Sequence, residues 1–292
     1  MLKIKLLAYF IKAIVIPLMT KLLSFLGQFL LFSILTITTQ IGGIDFLLAK
    51  YCSRLTPQLR KTKLSQLALF IGIYGFTTFI IVPPIAQAFG RTPLPISSKG
   101  MIIPNHFWTC LLNRHYVKIK LYDVVRKAAI DYNANEKNVR QLRYLDASFP
   151  FFDGFPLLPH RSHDDGEKID LAFFYVDRST NQAWNKSVSL SGYGFCEKPT
   201  ERENNTPRHC AKQGYWQYSL LTKMFGKASP DKVQFDAEAN RRLIKSLSAQ
   251  SRIKKIFIEP HLKARLGFAH DNKIRFHGCS AVRHDDHIHV EL

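Results

Sequence analysis

The sequence predicts an α+β protein in two parts: transmembrane helices within the first 90 residues, and then a globular domain of helices and strands. Two uncharged runs predict the membrane helices, residues 22–44 and residues 64–90. A helix needs about 20 apolar residues to cross the hydrocarbon layer of a bilayer, so each run is long enough. The strands of the second part are predicted by segments of alternating or apolar residues, described below.

A third apolar stretch, residues 6–19, is shorter than the other two and contains Lys12 and Pro17. It fits a helix that spans the bilayer with the Lys12 ammonium reaching the interface, or a helix that lies flat in the interface. We therefore expect a membrane anchor of two or three transmembrane helices over residues 1–90. A linker with Pro93 and Pro95 follows over residues 91–100, and the globular domain covers residues 101–292.

The chain carries 41 basic and 22 acidic residues, a net charge of +19 that is typical of nucleic-acid-binding proteins. The charge of the first part, however, is concentrated between the two long runs, on Lys50, Arg54, Arg60, Lys61 and Lys63. Short basic loops stay in the cytoplasm, so this loop predicts that the domain after about residue 90 lies outside. We therefore expect the lipid bilayer as a partner and no nucleic acid. The sequence carries no signal for an oligomeric state.

Four of the five cysteines fall in the predicted external domain, where an even number permits two disulfides. We favour Cys196 with Cys210 and Cys110 with Cys279, and four free thiols are the alternative. The fifth, Cys52, lies in the first part.

Histidines cluster in two short segments. In the first, His160 and His163 precede Gly166, and Asp170 lies seven residues after His163 at the start of the strand-like run DLAFFYV. Glycine permits a tight turn here that folds His163 back towards Asp170. An imidazole and a carboxylate brought together in this way are suitable zinc ligands.

The second segment reads RHDDHIHVEL and contains His284, His287 and His289. With the period of two of a strand, His287 and His289 project from one face, and Ile288 and Val290 face the core. Zinc enzymes usually keep three protein ligands, which His163, Asp170 and His289 supply. A histidine pair on a strand is usually a partly exposed pair without a metal, but the two clusters together favour a single zinc site.

These residues resemble motifs of the LAS zinc metallopeptidases. Ser162, His163, Gly166 and Asp170 match the first motif, and HDDHIHV is similar to the last motif of the penicillin-insensitive murein endopeptidases. His160 matches a further histidine of that branch, and KKIFIEPHLKARLG resembles the stretch before its last motif. The likeness covers residues 144–176 and 253–292, but not 177–232. It implies a small antiparallel sheet flanked by helices.

The resemblance also implies a function and a set of roles. His163, Asp170 and His289 are the zinc ligands, His287 and His284 the catalytic histidines, and His160 a neighbouring polar group. The expected protein is a membrane-anchored peptidoglycan hydrolase of the bacterial inner membrane, with its domain on the periplasmic side, cleaving D-amino-acid cross-links. A D,D-carboxypeptidase or dipeptidase, and a catalytically inactive zinc-binding or sensing domain, are the alternatives.

Around the zinc, polar residues are expected to assist. Asp285 and Asp286 are candidates to orient the imidazoles through their second nitrogens, or else form a solvated turn. Arg283 is a candidate to contact carboxylates of the substrate, or else part of a solvated basic face. Tyr144 and Asp146 are candidates for the border of the site. The general base is His287 or His284, and the sequence does not decide between them.

Overall fold

The computed structural model describes residues 11–56, 62–134, 139–219 and 231–292. The chain divides into two compact units, Met1–Ile80 and Ile81–Leu292. The described part of the first unit is helical, and the second unit contains helices and small sheets, so the fold class is α+β as predicted.

The described residues of the first unit include three α-helices: α1 over Ile16–Thr39, α2 over Gly42–Leu55 and α3 over Lys63–Phe76. Helix α1 turns directly into α2, and the two pack closely because α2 begins with two glycines. A Cβ atom on Gly43 would overlap Oγ1 of Thr36 and would lie 2.8 Å from the Phe32 carbonyl oxygen. Only glycine allows this approach of the two backbones.

Two helical segments of the described chain are long and apolar enough to cross a membrane, Lys12–Thr39 and Lys63–Ala88. The second continues from α3 through a π-helical turn, Thr77–Ile81, into α4, Val82–Ala88. A signal sequence or the core helix of a soluble protein has the same length and composition. The helix in the first predicted run, residues 22–44, ends earlier, at Thr39, because the chain turns at Gln40, which has φ +69°.

The shorter stretch over residues 6–19 is continuous with α1 from residue 11 onward, so its described part is not a separate helix. Residues 6–10 lie outside the described chain. So do Arg60 and Lys61 of the predicted basic loop, whereas Lys50 and Arg54 lie in α2.

The second unit is built on a six-stranded sheet with the strand order β2-β4-β5-β10-β8-β9. The three central pairings are antiparallel, and the pairings at the two edges, β2 with β4 and β8 with β9, are parallel. The sheet is therefore mixed, where an antiparallel sheet was expected. Its strands are β2 Ile102–Pro104, β4 Leu142–Tyr144, β5 Lys168–Ala172, β8 Lys255–Phe257, β9 Ile274–Arg275 and β10 His287–Glu291.

The described part of the second unit also contains two smaller sheets and five further α-helices. Strand β1 (Arg91–Pro93) pairs with β3 (Tyr116–Lys118), and β6 (Tyr175–Asp177) pairs with β7 (Val233–Phe235). The run DLAFFYV therefore belongs to two strands in different sheets. The helices are α5 Phe107–Leu111, α6 Ile119–Asn133, α7 Thr206–Lys212, α8 Ala237–Ser248 and α9 Pro260–Arg265.

The predicted linker over residues 91–100 is partly built into the second unit. Arg91 in β1 is fully buried and forms an ion pair with Asp153. Its guanidinium also donates to Oγ of Ser148 at 3.1 Å and to the Asp164 carbonyl oxygen at 3.3 Å. Proline content suggested a spacer, but a buried arginine with these partners belongs to the folded unit.

The preferred disulfide pairing is wrong. Cys210 is bonded to Cys279, with their Cα atoms 5.3 Å apart, and Cys110 and Cys196 are free. Helix α7 carries Cys210 to the segment before β10, so the loop after Cys196 does not close on itself. Cys110 is buried in α5, with its sulfur 3.2 Å from the hydroxyl oxygen of Tyr144. Tyr144 is thus a core residue and not part of the site border.

Candidate metal centre

The candidate metal centre lies where the two central strands β5 and β10 pair. Their register places His289 directly opposite Asp170, and His287 opposite Ala172. Directly opposed residues of an antiparallel pair project from the same face, with Cβ atoms about 5 Å apart. His163 joins them from the loop before β5, where Gly166 has φ +75° as the predicted turn requires.

Three ligand-type atoms meet at this point: Nε2 of His163, Nδ1 of His289 and Oδ1 of Asp170. The two nitrogens are 3.1 Å apart, and they lie 3.2 Å and 2.9 Å from the carboxylate oxygen. Ligands of a tetrahedral zinc with bonds of about 2.0–2.2 Å are about 3.3–3.6 Å apart. The triplet is therefore within a few tenths of an ångström of a tetrahedral face, and all three side chains are buried.

The hydrogen bonding of His163 supports a metal at this place. Its Nδ1 lies 2.8 Å from the Ala147 carbonyl oxygen, which can only accept, so Nδ1 carries the proton in that contact. In a neutral ring Nε2 then has an unprotonated lone pair that points at the triplet. A backbone carbonyl on the second nitrogen is the usual way in which proteins orient a metal-binding histidine.

His160 forms a second group with the same two residues, since ligand atoms of His160, His163 and Asp170 lie within 4.8 Å of one another. This buried group could hold a metal ion. His160, however, faces the other carboxylate oxygen: its Nδ1 is 3.0 Å from Oδ2 of Asp170 and 3.3 Å from Oδ2 of Asp146. We therefore take the triplet around Oδ1 as the candidate ligand set, with His160 beside it.

Asp146 and His160 form a charged pair next to the triplet. Burial alone would lower the pKa of His160, but hydrogen bonds and the charges of Asp146 and Asp170 raise it to about 9. Burial would raise the pKa of Asp146, but Arg114, 2.8 Å away, and His160 lower it to about 2. Asp146 thus borders the site as predicted, and its partner Arg114 was not anticipated.

His287 is held by its neighbour Asp286. Nδ1 of His287 lies 2.5 Å from Oδ1 of Asp286, and the backbone N–H of Gly194 donates to Oδ2 of the same carboxylate. The other nitrogen, Nε2, is 3.6 Å from Oδ1 of Asp170, and it is buried without a hydrogen-bond partner among the described residues. Asp286 therefore contacts one nitrogen of this imidazole, and the second nitrogen is directed at the triplet.

His284 lies beside these rings. Its ring centroid is 4.9 Å from that of His287 and 5.6 Å from that of His289. Its Nε2 is buried with no hydrogen-bond partner within the described chain. Burial and the neighbouring histidines hold the pKa of His284 well below its usual range, so the ring is neutral.

Asp285 and Arg283 pair with each other. Arg283 forms a two-point ion pair with Asp285, from Nε to Oδ1 at 3.0 Å and from Nη2 to Oδ2. Of the two aspartates proposed to orient an imidazole, Asp286 contacts His287, and Asp285 is paired with Arg283. Nearby, Oε1 of Glu259 accepts hydrogen bonds from the Tyr218 hydroxyl at 2.7 Å and from the His284 backbone N–H at 3.3 Å. Burial, and secondarily the charge of Asp285, raise the pKa of Glu259 to about 7.

Tyr193 is the main site residue that sequence reasoning missed. It lies within residues 177–232, where no motif was found, and its ring packs edge-on against His160 and His287. The glycines at 192 and 194 both have φ +85°, which brings the loop onto the site. The pattern Gly-Tyr-Gly was the available signal, but such a pattern is common in turns of no function.

A cavity of about 300 Å³ opens beside the triplet. His160, His287, Asp146 and Tyr193 line it, which connects it to the candidate metal centre. The remaining lining includes five apolar side chains: Trp108, Leu112, Pro159, Leu190 and Val282. Pockets of this kind, apolar with a few converging polar groups, are the usual form of small-ligand sites.

No protein-family model matches the sequence, and no curated protein matches it. The likeness to the LAS metallopeptidases therefore stands on the quoted motifs. The geometry described above is independent of it.

Proposed function

We propose that this chain is a zinc-dependent hydrolase of peptide bonds, and that peptidoglycan cross-links are the substrate to test first. The observation that carries the proposal is the convergence of His163 Nε2, His289 Nδ1 and Asp170 Oδ1 beside the pair of Asp286 and His287. The substrate comes from the resemblance of the motifs to murein endopeptidases, and the reaction type from the site itself.

The donor set favours zinc. Two imidazole nitrogens and one carboxylate oxygen are the ligands of many catalytic zinc sites, which keep a further position open. Calcium and magnesium prefer sites built from oxygen atoms alone. When bound, zinc supplies a Lewis acid that acidifies a water molecule and polarises a peptide carbonyl group.

His287 is the candidate proton acceptor. Asp286 holds its Nδ1, so that Nε2 faces the triplet and can take a proton there. The carboxylate stabilises the imidazolium that results, and the same nitrogen can then return the proton to the leaving amine.

His284 is the candidate for stabilising negative charge on the substrate oxygen. Its ring lies beside those of His287 and His289, and its Nε2 is unpaired within the described residues. Hydrogen-bond donors that are fixed before the reaction stabilise a developing oxyanion without the cost of reorganisation. These contacts support His287 as base and His284 as the second group, so each histidine has one role.

We propose that the two apolar helices anchor the chain in the bacterial inner membrane, with the second unit on the periplasmic side. The length and hydropathy of Lys12–Thr39 and Lys63–Ala88 support the anchor. The disulfide between Cys210 and Cys279 supports an oxidising compartment for the second unit, because cytosolic proteins rarely keep such bonds.

The test uses the full chain in detergent micelles, loaded with zinc and incubated with purified peptidoglycan. Chromatography of the digested wall separates the outcomes. An endopeptidase converts cross-linked dimers into monomers, and a carboxypeptidase shortens monomer stems without touching dimers. The matched control is His163→Ala, which should release nothing. If the zinc-loaded protein leaves peptidoglycan and unrelated peptides intact, the proposed activity is wrong and a binding or sensing role takes its place.

A further inference from the structure

The cavity beside the triplet has a composition that points to a class of substrate. Of its lining, Trp108 and Leu190 are large apolar residues that are 66% and 92% exposed. Single exposed apolar residues are ordinary on a protein surface, but these two stand in one cavity that continues into the site. Such a patch next to a reactive centre usually contacts a ligand.

The arginines that line this cavity are paired with carboxylates, and His160 faces two carboxylates, those of Asp146 and Asp170. Arg114 is paired with Asp146 and also donates to the Leu158 carbonyl oxygen at 3.0 Å. Arg283 is paired with Asp285 at two points. The cavity therefore offers little attraction for a carboxylate, and its apolar lining instead favours a neutral apolar group.

The position of the cavity fixes which part of a substrate enters it. His160 and His287 belong both to its lining and to the surroundings of Asp170. A group in the cavity is therefore attached close to the bond that reacts. A volume of about 300 Å³ is at the lower end for small-ligand pockets, which suits one side chain and not a long segment.

We infer that this cavity is a specificity subsite for a bulky apolar side chain next to the scissile bond. The inference rests on the proposed zinc hydrolase and narrows its substrates to peptides with an apolar side chain, so the D-alanine of a peptidoglycan cross-link would be a weaker substrate. A peptide with a phenylalanine-sized or leucine-sized residue at that position is then a better substrate than one with alanine, whose methyl group leaves most of the cavity to water. Burying such a side chain strengthens binding by about tenfold or more.

Two hydroxamates test this without turnover. Acetohydroxamic acid and phenylacetohydroxamic acid share a zinc-binding group and differ by one phenyl ring. Calorimetric titration of the zinc-loaded full chain in detergent micelles gives the ratio of their affinities. We expect the phenyl compound to bind wild type about tenfold more tightly than the methyl compound. In Trp108→Ala and in Leu190→Ala, we expect the ratio of the two affinities to fall towards one. Both residues are exposed, so neither change threatens the fold.

The matched control is Phe107→Ala, because Phe107 neighbours Trp108 on the same helix, is also exposed and does not line the cavity. Its affinity ratio should equal that of the wild type. If the wild type binds both hydroxamates equally, or if neither cavity variant changes the ratio, the apolar subsite is wrong and the zinc site stands. If neither hydroxamate binds the zinc-loaded wild type, the proposed zinc hydrolase is overturned as well.

Discussion

The hydroxyl oxygen of Tyr193 lies 2.8 Å from Oδ2 of Asp170 and donates its hydrogen bond to that carboxylate. The same hydroxyl accepts from the backbone N–H of Asp146 at 3.1 Å. The other oxygen of Asp170, Oδ1, faces His163 and His289. Tyr193 therefore holds the carboxylate in the rotation that presents Oδ1 to the triplet.

We expect Tyr193→Phe to weaken zinc binding by about 10- to 100-fold, because groups that orient a metal ligand typically contribute this much. Competition with a fluorescent zinc chelator measures it. The matched control is Tyr175→Phe, whose buried hydroxyl has no hydrogen-bond partner in the part of the chain that the structure describes. Equal zinc affinity in wild type and Tyr193→Phe would show that the tyrosine has no positioning role.

Asp286→Asn should separate catalysis from metal binding. The amide cannot stabilise an imidazolium on His287 as the carboxylate does, so we expect turnover to fall by about 10- to 100-fold with zinc content unchanged. Peptide hydrolysis and metal analysis of the same preparation measure the two quantities. Asp123→Asn, at an exposed position of α6, serves as the control and should leave both unchanged. Full turnover in Asp286→Asn would exclude His287 as the oriented base.

Glu259 should make the second unit less stable as the pH rises. Its pKa of about 7 in the folded protein exceeds the ordinary 4.5, so between these values the folded chain holds a proton that the unfolded chain has lost. The free energy of unfolding therefore falls from about pH 4.5 to pH 7 and then levels off. Glu259→Gln cannot titrate and therefore lacks this decrease. We expect the difference in the free energy of unfolding, variant minus wild type, to be up to about 3 kcal/mol larger at pH 8 than at pH 4.

Tryptophan fluorescence of metal-free protein measures this stability, since all three tryptophans, at positions 108, 184 and 216, lie in the second unit. The glutamine Oε1 can keep the bonds from Tyr218 and from His284. Parallel pH profiles for the two proteins would contradict the raised pKa of Glu259.

Arg91→Ala should destabilise the second unit by about 2–4 kcal/mol. The buried guanidinium donates to the carbonyl oxygens of Phe149 and Asp164, which would lose a buried partner. Denaturant unfolding followed by tryptophan fluorescence measures the change. Arg252→Ala, at an exposed position, should remain within about 0.5 kcal/mol of wild type. A similarly small loss of stability in Arg91→Ala would show that residues 91–100 are a linker and not part of the folded unit.

Much of the candidate site was predictable because it depends on short-range patterns. The period of a strand placed His287 and His289 on one face, and the glycine at 166 predicted the turn that returns His163 to Asp170. The lengths of the uncharged runs likewise predicted two apolar segments long enough to cross a membrane. Residue spacing along one strand or one turn is sufficient for such inferences.

The rest depends on contacts between distant segments, for which one sequence has no signal. Tyr193 contacts Asp170 across a sequence separation of 23 residues, and Arg91 contacts Asp153 across a separation of 62. The disulfide joins cysteines 69 residues apart, whereas the predicted pairing favoured a short loop. The parallel edge strands likewise result from long connections. The spacing of residues along the chain therefore does not predict which distant segments make these contacts.

The most direct test of the central claim is X-ray absorption at the zinc edge on the zinc-loaded full chain. We expect one zinc per chain with nitrogen and oxygen ligands only, two of them imidazoles, and the loss of one imidazole in His289→Ala. Both free cysteines of the second unit lie outside the triplet, so no sulfur ligand is expected. A sulfur ligand, or a wild-type protein that holds no zinc, would contradict the assignment of His163, Asp170 and His289.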